Sequence, residues 1–200
     1  MEITEDQAVN QRIAATLRAL RQQAGLSLEE LATASGVSRS ALSLIERAES
    51  SPTAVVLSRI ATSLGVPLAT LFGAPEPLAD AAPLVQRAQQ ATWQDPDSGY
   101  LRRSVSPPHY PSPIQIVEVV FPPGARVGYD NAPRHNTVHQ QIWMLEGRLD
   151  FRVGDDAYRL QAGDCLAHTL DRPTHFHNPS RKPARYAVVL VAEPLRRNSA

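Results

Sequence analysis

Arg39, Ser40, Ser43 and Arg47 stand at i, i+1, i+4 and i+8, a spacing that gathers them on one side of an α-helix. Guanidinium and hydroxyl groups in that pattern can donate to base edges and phosphate oxygens at the same time, the chemistry of a helix laid in a DNA major groove. A second polar set lies in the second half of the chain: Arg126, His135, His139, Gln140, Thr174 and Asn178. Imidazoles there raise metal ligation, whereas the amides, the hydroxyl and the guanidinium suit hydrogen bonds to a small organic molecule.

The elements that position the first set are helical. Ile13, Leu17, Leu20 and Ala24 recur at i, i+4, i+7 and i+11, one apolar stripe on a first helix. Thr4 with Gln7 supplies a capping box at its start, and Gly25 a stop. Ser27-Leu28-Glu29-Glu30 is a second capping box, opening a helix of about two turns that Gly36 ends. Ser38 caps a third helix, Arg39 to Arg47, with Ala41, Leu42 and Ile45 inward. Ser51-Pro52 reads as cap and first-turn proline of a fourth, and Pro67 to Phe72 as a short fifth.

Proline is nearly absent before position 75 and frequent after it. Residues 74–94 are therefore expected to be a linker between a helical domain, 1–73, and a second domain, 95–195. In that second domain Ile114 to Phe121, Gln140 to Leu145, Leu149 to Val153, Tyr158 to Leu160 and Tyr186 to Ala192 read as strands. Glycines punctuate them at the intervals of an antiparallel sandwich or barrel.

Composition excludes several classes. Lys and Arg number 20, as do Asp and Glu, so no overall basic field draws nucleic acid, and DNA contact must come from a local patch. Residues 1–74 hold six Arg against seven acidic residues. The single cysteine, Cys165, closes no intrachain disulfide and is expected to be a small buried residue. The acidic N-terminus does not resemble a signal peptide, and the longest apolar run, Tyr186 to Ala192, is far short of a membrane span. A cytoplasmic protein with no membrane partner is expected.

Leu28-Glu29-Glu30-Leu31-Ala32, Gly36-Val37-Ser38-Arg39-Ser40-Ala41-Leu42-Ser43-Leu44-Ile45-Glu46-Arg47 and Ile60-Ala61-Thr62-Ser63-Leu64-Gly65-Val66 together resemble the XRE (Cro/C1-type) helix-turn-helix family. The resemblance implies a five-helix, lambda-repressor-like bundle whose bound partner is double-stranded DNA. It places Arg39, Ser40 and Ser43 at bases and Arg47, Ser51 and Thr53 near phosphates, with Ser38 also in the DNA-binding set. It makes Arg21 and Glu46 a structural pair. Ala48 departs from the family, which usually has glycine there, so the turn is expected to differ or to carry strain. The unfavourable charge of one copy calls for a homodimer on a two-fold operator.

Pro122-Pro123-Gly124-Ala125, Trp143-Met144-Leu145-Glu146-Gly147-Arg148-Leu149, Leu160-Gln161-Ala162-Gly163-Asp164 and His177-Asn178-Pro179 resemble the two motifs of a cupin. That implies a double-stranded antiparallel β-barrel able to hold a metal, to bind a small-molecule effector or to dimerise. Metal-bearing cupins place Glu and His where this chain has Gln140 and Thr174, and their two upstream His fall at Arg134 and Asn136, or at Pro133 and His135 with a longer spacing. No metal and no cofactor are therefore expected, and Gln140 is expected to face a pocket with Tyr100, Tyr129 and Trp143 around it. The alternatives are a metal-dependent cupin enzyme or metal sensor fused to a DNA-binding domain, and an antitoxin-like partner of another protein.

Overall fold

The structure is a computed structural model that describes residues 5–72, 80–131 and 137–192. Thr4, residues 74–79 at the start of the expected linker, Arg134 and His135 lie outside these residues. Five helices come first: α1 (Glu5–Gln23), α2 (Leu28–Ser35), α3 (Arg39–Glu46), α4 (Ala54–Ser63) and α5 (Leu68–Leu71). The local signals act as their chemistry requires. The Ser27 hydroxyl accepts from the Glu30 amide while the Glu30 carboxylate accepts from the Ser27 amide, closing a complete capping box. Gly36, left-handed at φ 65°, ends α2 by donating to the Ala32 carbonyl. Ser38 accepts from the Ala41 amide and starts α3 after a turn of three residues.

One start differs from expectation. α4 begins at Ala54 with Thr53, not Ser51, as its cap, because the Thr53 hydroxyl accepts from the Val56 amide whereas Ser51 reaches sideways to Asn10 of α1. Leu17, Leu31, Leu42, Leu57 and Ile60 are completely buried where these helices meet. Burying each of them stabilises the bundle by about 2 kcal/mol.

Among the described residues a 3₁₀ turn, Arg87–Gln89, leads into ten strands: β1 (Thr92–Gln94), β2 (Leu101–Ser104), β3 (Ile114–Phe121), β4 (Arg126–Tyr129), β5 (Val138–Glu146), β6 (Arg148–Val153), β7 (Asp156–Gln161), β8 (Cys165–Thr169), β9 (Thr174–His177) and β10 (Ala184–Ala192). All pairs are antiparallel. They form a six-stranded sheet, β1-β2-β3-β10-β5-β8, and a four-stranded sheet, β4-β9-β6-β7. Among the described residues no ladder joins the two, so the expected double-sheet barrel is not closed and takes the form of a pair of facing sheets, with Phe176 of one stacked on Tyr186 of the other. Gly147 is where the chain leaves one sheet for the other. Its φ is 80°, and a Cβ there would lie 2.9 Å from the Pro183 carbonyl oxygen, so only glycine fits.

Thr92–Gln94, expected as the end of the linker, is the outermost strand of the larger sheet. Trp93 from it is buried against Phe72, which follows α5, and against Tyr100. Asp95, also buried, accepts from the Ala54 amide at the first turn of α4 and from Ser98. Buried apolar residues therefore form one continuous cluster through both halves.

Candidate nucleic-acid interface and interior cavity

The N-terminal end of α3 stands clear of the protein. Ser38, Arg39, Ser40 and Arg47 are exposed and Ser43 is partly so, while Leu42 and Ile45 anchor the opposite face. Leu44, 39% exposed, shares the outward face with Ser40 and Arg47. Sequence periodicity left it unassigned, and its exposure on a helix otherwise polar on that side is the signal. An apolar tip among donors is suited to a thymine methyl group.

α3 is held from behind. Arg21 donates through Nε and Nη2 to the two carboxylate oxygens of Glu46, at 2.6 and 2.8 Å, and through Nη1 to the Leu26 carbonyl at 2.8 Å. Both side chains are nearly buried, and the hydrogen bond to Glu46 raises the Arg21 pKa further. The pair ties α1 to the end of the helix carrying the DNA-facing residues. Ala48 adopts φ 56°, so the left-handed turn expected of glycine is retained by alanine, with the Ala48 and Glu49 amides donating back to the Ile45 and Leu44 carbonyls.

Electrostatics on this face are partly self-cancelled. Arg47 donates to the Ser43 hydroxyl and, at 2.8 Å, to the Glu49 carboxylate, which lowers the Glu49 pKa. Arg39 lies 3.7 Å from Glu29, with both side chains largely in solvent. Such pairs are screened and weak. A phosphate approaching Arg47 must displace Glu49 or sit beside it, so Glu49→Gln is expected to tighten operator binding about two- to fivefold at low salt, the gain shrinking as salt rises. Filter binding across a salt series checks this, and equal affinity at low salt refutes it.

The start of α4 is partly occupied from within the chain. The Ala54 amide donates to the Asp95 carboxylate and the Val56 amide to the Thr53 hydroxyl, so a phosphate near Ser51 and Thr53 would meet two engaged donors and a neighbouring acid.

The second polar set is dispersed. Of its described members, Gln140 alone lines a cavity between the sheets. His139 is exposed on the other face of β5, and Arg126 is exposed on the outer face of the smaller sheet near His175 and His177. The Thr174 hydroxyl, buried, accepts from Asn131. Asn178 is wholly buried and its amide is fully engaged: it donates to the Phe121 and Lys182 carbonyls and accepts from Ser180, pinning a loop rather than facing a ligand. His135 lies outside the described residues. Trp143, expected in the pocket, is half-exposed on the outward face of β5, and Cys165, expected to be buried, is exposed. Strand alternation explains the outward placement of His139, Arg126, Trp143 and Cys165, each one residue out of phase with the inward face. Among the described residues no group of three or more His, Cys, Asp or Glu could hold a metal ion.

The cavity has a volume of about 80 Å³. Tyr100, Tyr129 and Gln140 line it as expected or nearly so, and Arg102 lines it unannounced. Burial pushes the Tyr100 phenol up to about 12 and Tyr129 well above 10, so both stay protonated at neutral pH, with their hydroxyls 3.1 Å apart.

A helix-turn-helix with a free recognition end, set on a two-sheet sandwich, defines the class: a DNA-binding protein carrying a second folded module. Residues 17–71 match the helix-turn-helix family HTH_3, and residues 117–191 match the cupin domain family Cupin_2. The chain is 31% identical over 176 residues to the HTH-type transcriptional regulator SutR of Escherichia coli (strain K12), a stretch covering 83% of this chain and 92% of that protein. It is 29% identical over 168 residues to the HTH-type transcriptional regulator PuuR of the same organism, covering 82% and 86%. The crystal structure of an HTH_3 family transcriptional regulator from Vibrio cholerae superposes with a TM-score of 0.72 at 25% identity, over 95% of this chain and 99% of that one. The chain belongs to the family of HTH-type transcriptional regulators that join a helix-turn-helix domain to a cupin domain. Among the described residues no helix is long and apolar enough to cross a membrane.

Proposed function

We propose that this DNA-binding transcriptional regulator acts as a homodimer on a two-fold operator, reading bases with Arg39, Ser40, Ser43 and Leu44, and that its cupin module, residues 95–195, is a sensor that binds a small molecule without transforming it. The observation that carries the DNA reading is the exposed face of α3 backed by the Arg21–Glu46 pair. Dimerisation is supported by charge: with six Arg against seven acids in residues 1–74, and with Arg39 and Arg47 already facing carboxylates, one copy has little affinity to offer. Two linked copies gain by effective concentration. The binding rather than catalytic role rests on Gln140 and Thr174, a neutral amide and a hydroxyl where metal-bearing cupins have ligands.

Arg39→Ala is expected to weaken operator binding by about 1 to 3 kcal/mol, roughly 5- to 150-fold, and to relax preference at one base position. A binding selection with randomised half-sites checks both. An unchanged base preference would remove Arg39 from the set that reads sequence.

A further inference from the structure

Arg102 is 7% exposed, and its Nε and Nη2 are buried without a hydrogen-bond partner. Among the described residues no carboxylate pairs with it. Asp95, the buried acid of the neighbouring loop, is engaged with Ala54 and Ser98. A guanidinium does not shed its proton under ordinary conditions, so this is a buried cation lacking a counter-charge. One face is accounted for: the Phe72 ring centroid lies 4.3 Å from the guanidinium carbon. The edge is not. Nε and Nη2 form the side-on fork that takes a carboxylate bidentately, and Arg21 of this same chain uses that fork on Glu46.

The cavity that Arg102 lines suits the rest of such a ligand. Val119, Phe121 and Leu190 make its walls apolar, and the Tyr100–Tyr129 pair and Gln140 supply further hydrogen-bonding groups. Its volume, about 80 Å³, has room for several waters and hence for an acid of a few carbon atoms. A separate void that Arg102 also lines, about 10 Å³, holds at most one water. Pro67, Leu68 and Ala69 at α5 close the main cavity. The DNA-binding domain is thereby one wall of it.

We propose that the cavity binds a small organic monocarboxylate, its carboxylate paired with the Arg102 guanidinium and its hydrocarbon against Val119, Phe121 and Leu190. The ligand touches α5 directly, so occupancy and DNA affinity are linked through the segment that includes Phe72. This rests on the reading of the cupin module as a sensor and names the class of molecule sensed. Divalent acids fit poorly, because one cation and apolar walls cannot compensate a second charge.

The test uses the full chain, with acetate, propionate, butyrate and pyruvate as probes, propionamide as the neutral match and inorganic phosphate as the non-carboxylate anion, all at constant ionic strength. At least one carboxylate is expected to raise the melting temperature by about 3 °C or more at saturation, with no rise from propionamide or phosphate. Arg102→Met, which fills the space without charge, is expected to abolish the rise and to melt no lower than the wild type when free of ligand. Arg102→Lys, which keeps the charge without the fork, is expected to bind at least about tenfold more weakly. No rise with any carboxylate, an equal rise with phosphate, or an undiminished rise in Arg102→Met overturns the assignment. Operator titration of the same samples separates the two levels: intact DNA binding with no carboxylate response defeats this inference alone, whereas carboxylate binding that leaves DNA affinity unchanged defeats the sensor reading.

Discussion

Glu46→Ala is expected to destabilise the protein by about 3 kcal/mol, lowering the melting temperature by roughly 6 to 12 °C for a cooperative unit of this size. The reason lies in what is left behind. Arg21, only 13% exposed, keeps its bond to the Leu26 carbonyl but loses both bonds from Nε and Nη2, leaving a nearly buried cation uncompensated. Removing one partner of such a pair costs far more than removing both, so Arg21→Met combined with Glu46→Leu is expected to recover most of the loss. Operator affinity behaves differently. The double variant removes the tie between α1 and α3, so it recovers stability without recovering full DNA binding. Calorimetry and operator titration of the three proteins check both halves, and a Glu46→Ala protein that melts like the wild type would show the pair to be dispensable.

Trp93→Ala is expected to cost about 3 kcal/mol and to split one unfolding transition into two. Trp93 is 2% exposed and bridges the halves, with ring centroids 5.1 Å from Phe72 and 5.8 Å from Tyr100. From Tyr100 the ring contacts continue to Phe121 and Tyr186 in the sandwich core. Truncation opens a void where the apolar clusters of the two modules meet, so the modules should melt independently. The loss falls at the low end for a tryptophan because its buried indole Nε1 has no partner in the wild type, a defect that truncation removes. Trp93→Phe keeps most of the ring and removes the same orphan donor, and is expected to retain a single transition. One unshifted transition in Trp93→Ala would disprove the coupling.

Legibility of this fold followed the range of the interactions. Helix starts at Ser27 and Ser38 were readable because a capping hydroxyl and the amide it accepts from lie within three residues. Ile114–Phe121 was bounded correctly from its apolar run. Shorter strands without such a run, Thr92–Gln94, Leu101–Ser104 and Arg126–Tyr129, were missed, since polar or glycine-bearing segments become strands only when a partner supplies the ladder. At α4 a local signal misled: Ser51-Pro52 looks like a helix start, yet Ser51 bonds to α1 while Thr53 and the distant Asp95 take the free amides.

The same division separates the two sites. Arg39, Ser40, Ser43 and Arg47 share a helix face by periodicity alone, and motif spacing sufficed to relate the chain to DNA-binding regulators. Arg102 carried no signal. In Leu101-Arg102-Arg103-Ser104 one arginine pairs with Glu118 near the surface and its neighbour is buried. Sequence by itself determined the two-module order and the recognition helix, because caps, helical periodicity and strand alternation act between residues close along the chain, and the resemblance to a cupin placed Gln140 inward. Only the tertiary structure decided that the barrel is two facing sheets, that Asp95 caps α4, and that α5 closes the cavity over Arg102. Burial of a charged side chain depends on which distant elements pack around it, and no local pattern encodes that.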